Sequence, residues 1–224
     1  MTAAATATAA DLPMTAAPVA APKPAARPAS AIPAPPAAEP LDDDFGSGRY
    51  EVIDGVRVEK TMSSIESRLA FKLGHVVETF AESRRLGLAF TDMLFRLNAV
   101  GQRYAPDVAF VSRRKWPHDY IPRFNGWPIV PDLAVEVISP TDLAVDVAKK
   151  LDNYMRAGVR LVWEIYPDLR RIQVRDARTP EVIRVVGAEG TLDGSDVLPE
   201  FTLSAAEVFS VVPPDLQPAP VSDE

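Results

Sequence analysis

The chain has 224 residues, no cysteine and a formal net charge of −7. Without cysteine, disulfides, thiolate catalysis and thiolate zinc sites are excluded, and the acidic balance argues against a large basic nucleic-acid surface while leaving room for a local one. No stretch approaches the ~20 apolar residues that a membrane helix needs, so a soluble, cytoplasmic protein without a membrane partner is expected.

Residues 1–44 are an Ala/Pro tract with almost no large apolar side chains. Such a tract cannot bury enough surface to offset the entropy of ordering, so it reads as a disordered tail. It has neither the apolar core of a signal peptide nor the Arg-rich pattern of a transit peptide. Residues 213–224 read as a second, flexible tail. Residues 45–212 between them are enough for a single domain with one core.

Within the domain, YEVIDGVRVEK is two alternating runs around Asp54-Gly55, a hairpin signal. A helix follows, with Ile65, Leu69, Leu73, Val76, Val77 and Phe80 at helical spacing and Ser63 or Ser64 as N-cap. LAFTDMLFRL and RYAPDVAFVS read as two strands joined by a turn at Gly101, and RRKWPHDYIPRFNGW reads as a loop. PDLAVEVISP has apolar residues on both faces, which makes it a central buried strand, stopped by Pro140. From about Asp142 to Ala157 the pattern predicts a helix closed by Gly158. VRLVWEIY is another apolar strand, RRIQVRD and EVIRVVG are more exposed ones, and SAAEVF is a short closing helix. The fold class is α/β or α+β: a mixed central sheet flanked by helices, with a right-handed crossover placing Glu136 and LVWEIY in neighbouring parallel strands.

Glu136 is the anomaly in that central strand, because a buried ionised carboxylate needs a cation, a metal or several donors. In the helix that follows, Leu143, Val147, Leu151, Tyr154 and Met155 form the stripe that packs on the sheet. Lys150 lies at the edge of the stripe and Lys149 on the opposite side, so Lys150 is the expected partner. Asp146 and Tyr154, four residues before and after it, can support its ammonium. Asp107, after Pro106 at the start of an apolar strand, can converge with Glu136 on a hard divalent cation. Glu66 near the start of the long helix is a further candidate carboxylate. Carboxylates plus a lysine make a magnesium-dependent phosphodiesterase site.

The run VPDLAVEVISPTDLAVDVAKKLDNYMRAGVRLVWEIYPDLRRIQVR, with YEVIDG and YAPDVAFV upstream, resembles the Uma family of restriction endonuclease-like proteins, a branch of the PD-(D/E)XK nuclease superfamily. The resemblance covers residues 49–209 and implies a restriction-endonuclease-like core. It implies that Asp107 is the aspartate of the PD pair and Glu136, 29 positions later, the second acid. The superfamily lysine two residues after that acid is replaced here by Ile138, and Lys150 on the following helix matches its place in the Uma branch. The implied activity is hydrolysis of DNA phosphodiesters with Mg2+ or Mn2+: Asp107 and Glu136 hold the metal, Lys150 positions the water, and Glu66, Asp146 and Tyr154 support them. Since many enzymes that cut both strands are dimers, a homodimer is a partner to test for.

Two other readings stand beside this one. A nuclease-fold nucleic-acid-binding or regulatory protein keeps the core but does not cut, and a structural ion pair of the acids with Lys150 or Arg103 needs no metal at all. Arg113, Arg114, Lys115 and Arg123 alternate with Trp116, Tyr120, Phe124 and Trp127, a mixture suited to phosphates and exposed bases. The simpler reading of that segment is a surface loop anchored by its aromatics.

Overall fold

The computed structural model describes residues 49–118, 120 and 126–212. The tails expected at 1–44 and 213–224, together with Arg123 and Phe124, lie outside the described residues.

The Asp54-Gly55 hairpin forms as expected. Tyr50–Ile53 (β1) and Val56–Glu59 (β2) pair antiparallel. The turn residues take φ of 51° and 79°, the two positive values that a type I′ turn requires. The long helix, Ser64–Ser83 (α1), is capped by Ser63. It buries Leu69, Leu73, Val77 and Ala81 against the larger sheet, and each fully buried Leu or Val contributes about 1.5–3 kcal/mol.

The two strands expected on either side of Gly101 are in fact four. Gly87–Thr91 (β3) and Phe95–Leu97 (β4) replace the first, and Gln102–Tyr104 (β5) and Val108–Ser112 (β6) the second. The halves go to different sheets: β3 pairs with β6, and β4 with β5. Two backbone features divide them. Asp92 adopts a left-handed φ of 53°, and Pro106 has no N–H to offer a ladder.

The remaining elements are Leu133–Val137 (β7), Ala144–Ala157 (α2), Leu161–Tyr166 (β8), Arg171–Asp176 (β9), Ile183–Val186 (β10), Thr191–Asp193 (β11), Thr202–Ser204 (β12) and Ala205–Phe209 (α3). A four-stranded sheet runs β2-β1-β5-β4 and a six-stranded mixed sheet runs β10-β9-β8-β7-β6-β3. The short β11–β12 pair was not legible in sequence, since three residues per strand carry too little alternation. The crossover is as expected: β7 and β8 are parallel neighbours joined through α2, with Glu136 opposite Glu164.

Alternation along the central strands gives the sheet two apolar faces. Val108, Phe110, Leu133, Val135, Leu161 and Trp163 pack with α1. Ala109, Ala134 and Val162 pack with Leu151 and Tyr154 of α2. Glu136, two residues from Ala134, therefore points to the α2 side. The helix begins at Ala144 rather than Asp142, and Leu143 is its solvent-exposed N-cap rather than part of the packing stripe. Gly158 closes the helix at φ 97°, the left-handed conformation that glycine adopts without strain. Among the described residues, no helix is long and apolar enough to cross a membrane.

Candidate functional site

The pairing of β6 with β7 sets the centre of the site. Val108 faces Val135 and Ala109 faces Ala134, so one step further along the antiparallel register Asp107 lies opposite Glu136. Asp107 stands just before β6, where Val137 no longer has a ladder partner on that side. Its Oδ2 accepts the Val137 N–H at 2.6 Å. The aspartate thereby satisfies a backbone donor and is itself held rigidly, 2% exposed.

Each acid has an ammonium beside it. Lys150 Nζ lies 2.9 Å from Glu136 Oε1 and 2.8 Å from Glu51 Oε1. The Tyr154 hydroxyl donates to the same Glu136 oxygen at 2.6 Å, which leaves Glu136 Oε2 without a hydrogen bond among the described residues. On the other side, Lys60 Nζ lies 2.6 Å from Asp107 Oδ1 and donates to the Ala105 carbonyl at 2.5 Å. Glu51 Oε1 also accepts the Ala105 N–H at 2.9 Å. Three carboxylates and two ammonium groups thus share one cluster, with a formal charge of −1 when all are ionised.

Burial pushes Glu136 up to about 7; the two lysines pull it down, while Asp107 and Glu51 add to the rise. Burial works against the Lys150 ammonium, yet Glu136 and Glu51 outweigh it and hold its pKa above the ordinary lysine value. Lys60 behaves alike: burial is outweighed by Glu136 and Asp107, and its pKa rises. Glu136 is therefore the member that changes charge near neutrality, while both lysines stay protonated. Burial, then Glu136 and Glu51, push the Tyr154 phenol well above its usual range, so it remains a donor.

A cleft of about 910 Å³ opens over the cluster and is lined by Glu51, Lys60, Glu66, Asp107, Glu136 and Lys150. The four-stranded sheet supplies Glu51, the six-stranded sheet Asp107 and Glu136, and α2 supplies Lys150 and Tyr154. A neighbouring cavity of about 390 Å³ contains buried Glu164. Both oxygens of that residue are satisfied, by Arg175 Nε at 2.6 Å and the Tyr166 hydroxyl at 3.0 Å.

Of the residues selected from sequence, Asp107, Glu136, Lys150 and Tyr154 come together. Lys149 is exposed and sits 3.9 Å from Asp146, which corrects the expectation that Asp146 steadies Lys150. Glu66 lines the cleft, but its Oε2 accepts the Ser63 N–H at 2.7 Å in a capping box. It serves the start of α1 rather than the carboxylate cluster. Arg113, Arg114 and Lys115 follow β6 at its far end, roughly 20 Å along the strand from Asp107. There Lys115 is held by buried Asp132 at 3.1 Å, and Trp116 is buried, its ring N–H donating to the Tyr120 carbonyl at 2.7 Å. The anchored-loop reading describes these contacts well.

Glu51 and Lys60 were missed from sequence. Glu51 shares its strand face with Ile53, the same mismatch of a carboxylate on an apolar face that marked Glu136. Lys60 follows the end of β2 and carries no periodic signal.

Whether these residues suit a divalent ion follows from the donor set. Among the described residues, no group of three or more His, Asp or Glu could hold a metal. Mg2+, however, is commonly held by one or two carboxylates and completes its shell with water and phosphate oxygens. Asp107 and Glu136, with Glu136 Oε2 open, fit that pattern, provided that Lys60 gives way at Asp107.

The family model Uma2, described as putative restriction endonuclease, matches residues 39–206. None of the curated proteins matches. Among solved structures, the fold is similar to the crystal structure of a putative nuclease belonging to DUF820 from Anabaena variabilis ATCC 29413. That similarity has a TM-score of 0.64 at 20% identity, over 73% of this chain and 91% of the other. The mixed sheet with flanking helices is thus the restriction-endonuclease-like fold.

Proposed function

Because this chain belongs to the Uma2 family, described as putative restriction endonuclease, we propose that it is a nuclease hydrolysing DNA phosphodiester bonds with Mg2+ or Mn2+. The observation that carries the proposal is the placement of Asp107 opposite Glu136 across β6 and β7, with Lys150 2.9 Å from the glutamate. Asp107 and Glu136 would hold the ion. When bound, it would supply charge neutralisation at a phosphoryl oxygen and a water of lowered pKa.

The rest of the work falls to the chain's own side chains. Lys150, kept charged by two carboxylates, holds the attacking water in line and stabilises charge on the phosphate. Glu51 fixes the ammonium at 2.8 Å, and the Tyr154 hydroxyl fixes Oε1 of Glu136 at 2.6 Å, which leaves Oε2 for the ion. These are positioning roles, and the geometry of the three contacts supports them.

The test is cleavage of supercoiled plasmid with Mg2+ or Mn2+. Wild-type protein and Lys149→Ala are expected to cut, the variant keeping most of the activity, while Lys150→Ala and Asp107→Asn lose it by at least about 100-fold. Equal losses in the two lysine variants would refute the assignment of Lys150. The contact between Lys60 and Asp107 favours a second reading, a nucleic-acid-binding protein that does not cut. DNA binding without metal-dependent cleavage by the wild type would establish it.

A further inference from the structure

Lys60 stands where a metal at Asp107 would have to go. Its ammonium lies 2.6 Å from Asp107 Oδ1, and a divalent ion on that oxygen would face a like charge at contact distance. For the site to load, Lys60 must move without leaving its charge buried and unpaired. The structure offers a second position. Asp92 Oδ1 is 3.6 Å from Lys60 Nζ, too far for a hydrogen bond. It is also a buried oxygen with no hydrogen-bond partner among the described residues. An unsatisfied buried acceptor is costly and needs an explanation.

Asp92 is the residue with φ of 53° that separates β3 from β4, a left-handed conformation that aspartate and asparagine adopt more readily than other residues with a side chain. Its other oxygen, Oδ2, lies 3.5 Å from Arg49 Nη1. A displacement of about 1 Å would bring the Lys60 ammonium into hydrogen-bond range of Oδ1. The flexible four-carbon stem of a lysine permits such a shift without backbone movement.

We propose that Lys60 is a two-position counter-ion: it neutralises Asp107 in the metal-free protein and transfers to Asp92 Oδ1 when a divalent cation binds Asp107. This rests on the metal-site reading above. Lys60 then competes with the metal, and Asp92 is a positioning residue that assists the metal by accepting the displaced ammonium. A Lys60 fixed in one position would also oppose the metal, but the effect of Asp92 on metal affinity would then not depend on Lys60.

The test is Mn2+ binding by calorimetry on the full chain, without nucleic acid, with folding checked by circular dichroism. Lys60→Met is expected to bind Mn2+ about tenfold more tightly than wild type, and Asp92→Asn about fivefold more weakly. Asparagine tolerates the left-handed backbone at this position, so Asp92→Asn remains informative even where Lys60→Met fails to fold. In the double variant, the Asp92→Asn effect should vanish and the affinity should match that of Lys60→Met. Unchanged or weaker binding by a folded Lys60→Met variant overturns the proposal. So does unaltered binding by Asp92→Asn, or an Asp92→Asn loss that persists without Lys60, which would be simple through-space attraction. Wild-type protein that binds no Mn2+ at all would instead remove the metal-site reading on which the proposal stands.

Discussion

Glu136 makes the site sensitive to pH near neutrality. Its folded-state pKa of about 7 lies above the ordinary glutamate value of 4.5, so the folded protein binds this proton more tightly than the unfolded chain. The stability it contributes is fully present below about pH 4.5 and is lost as pH rises through about 7. Lys150, raised above 10.5, contributes nothing to the slope in that window. Metal-free wild type should therefore lose on the order of 3 kcal/mol relative to Glu136→Gln between pH 4.5 and 8. Denaturant unfolding of both proteins across that range measures it. Parallel stability curves would show that Glu136 is ionised throughout. The variant should fold well, because Lys150 keeps Glu51 at 2.8 Å and no ammonium is stranded.

At the scale of elements, the two ends of β6 and β7 perform different tasks. The Asp107 end carries the acid cluster. At the other end, Asp132 is fully buried and joins three strands. Its Oδ2 accepts the Ser112 N–H at 2.9 Å, its Oδ1 meets Lys115 and Arg160 at 3.1 and 3.4 Å, and its carbonyl accepts the Leu161 N–H at 3.0 Å. Burial works to raise its pKa, but the Ser112 N–H and Lys115 outweigh burial and hold it below the usual aspartate value. The stability from this pair is thus present above about pH 4 and is lost as pH falls through the depressed pKa. Asp132→Ala should cost about 3 kcal/mol at pH 7, since the stranded cations are partly hydrated. Urea unfolding gives the number, and the penalty should shrink in acid. A cost under about 0.5 kcal/mol would mean that the strand ends hold without it.

At the scale of the whole molecule, the cleft exists because one chain passes between two sheets. The segment Ala105-Pro106-Asp107 leaves the four-stranded sheet after Tyr104 and joins the six-stranded one at Val108. Glu51 and Lys60 therefore face Asp107 and Glu136 across the cleft. Everything the site uses lies within residues 49–212, so deletion of residues 1–44 should leave the melting midpoint within about 2 °C. Differential scanning calorimetry of the two forms tests this, and a larger loss would move the domain boundary upstream.

The sequence by itself determined what short-range physics governs. The Asp54-Gly55 turn, the Ser63 cap, the Gly158 stop and the strand-helix-strand crossover around Glu136 each follow from a few adjacent residues. The choice of Lys150 over Lys149 followed as well, because helical periodicity separates consecutive residues by 100°. Tertiary structure decided what depends on distant segments meeting. The splitting of two apparent strands into four reflects competition between two sheets for the same chain, which local alternation cannot reveal. Glu51, Lys60 and Asp92 are separated in sequence from Glu136 by more than forty residues, and only their packing makes them its neighbours. Asp146 and Glu66 show the converse: each had a suitable charge at a suitable spacing, but solvent claimed the first and a helix cap the second. A carboxylate's partner is set by which donors reach it once the chain has closed, and that is a property of the fold.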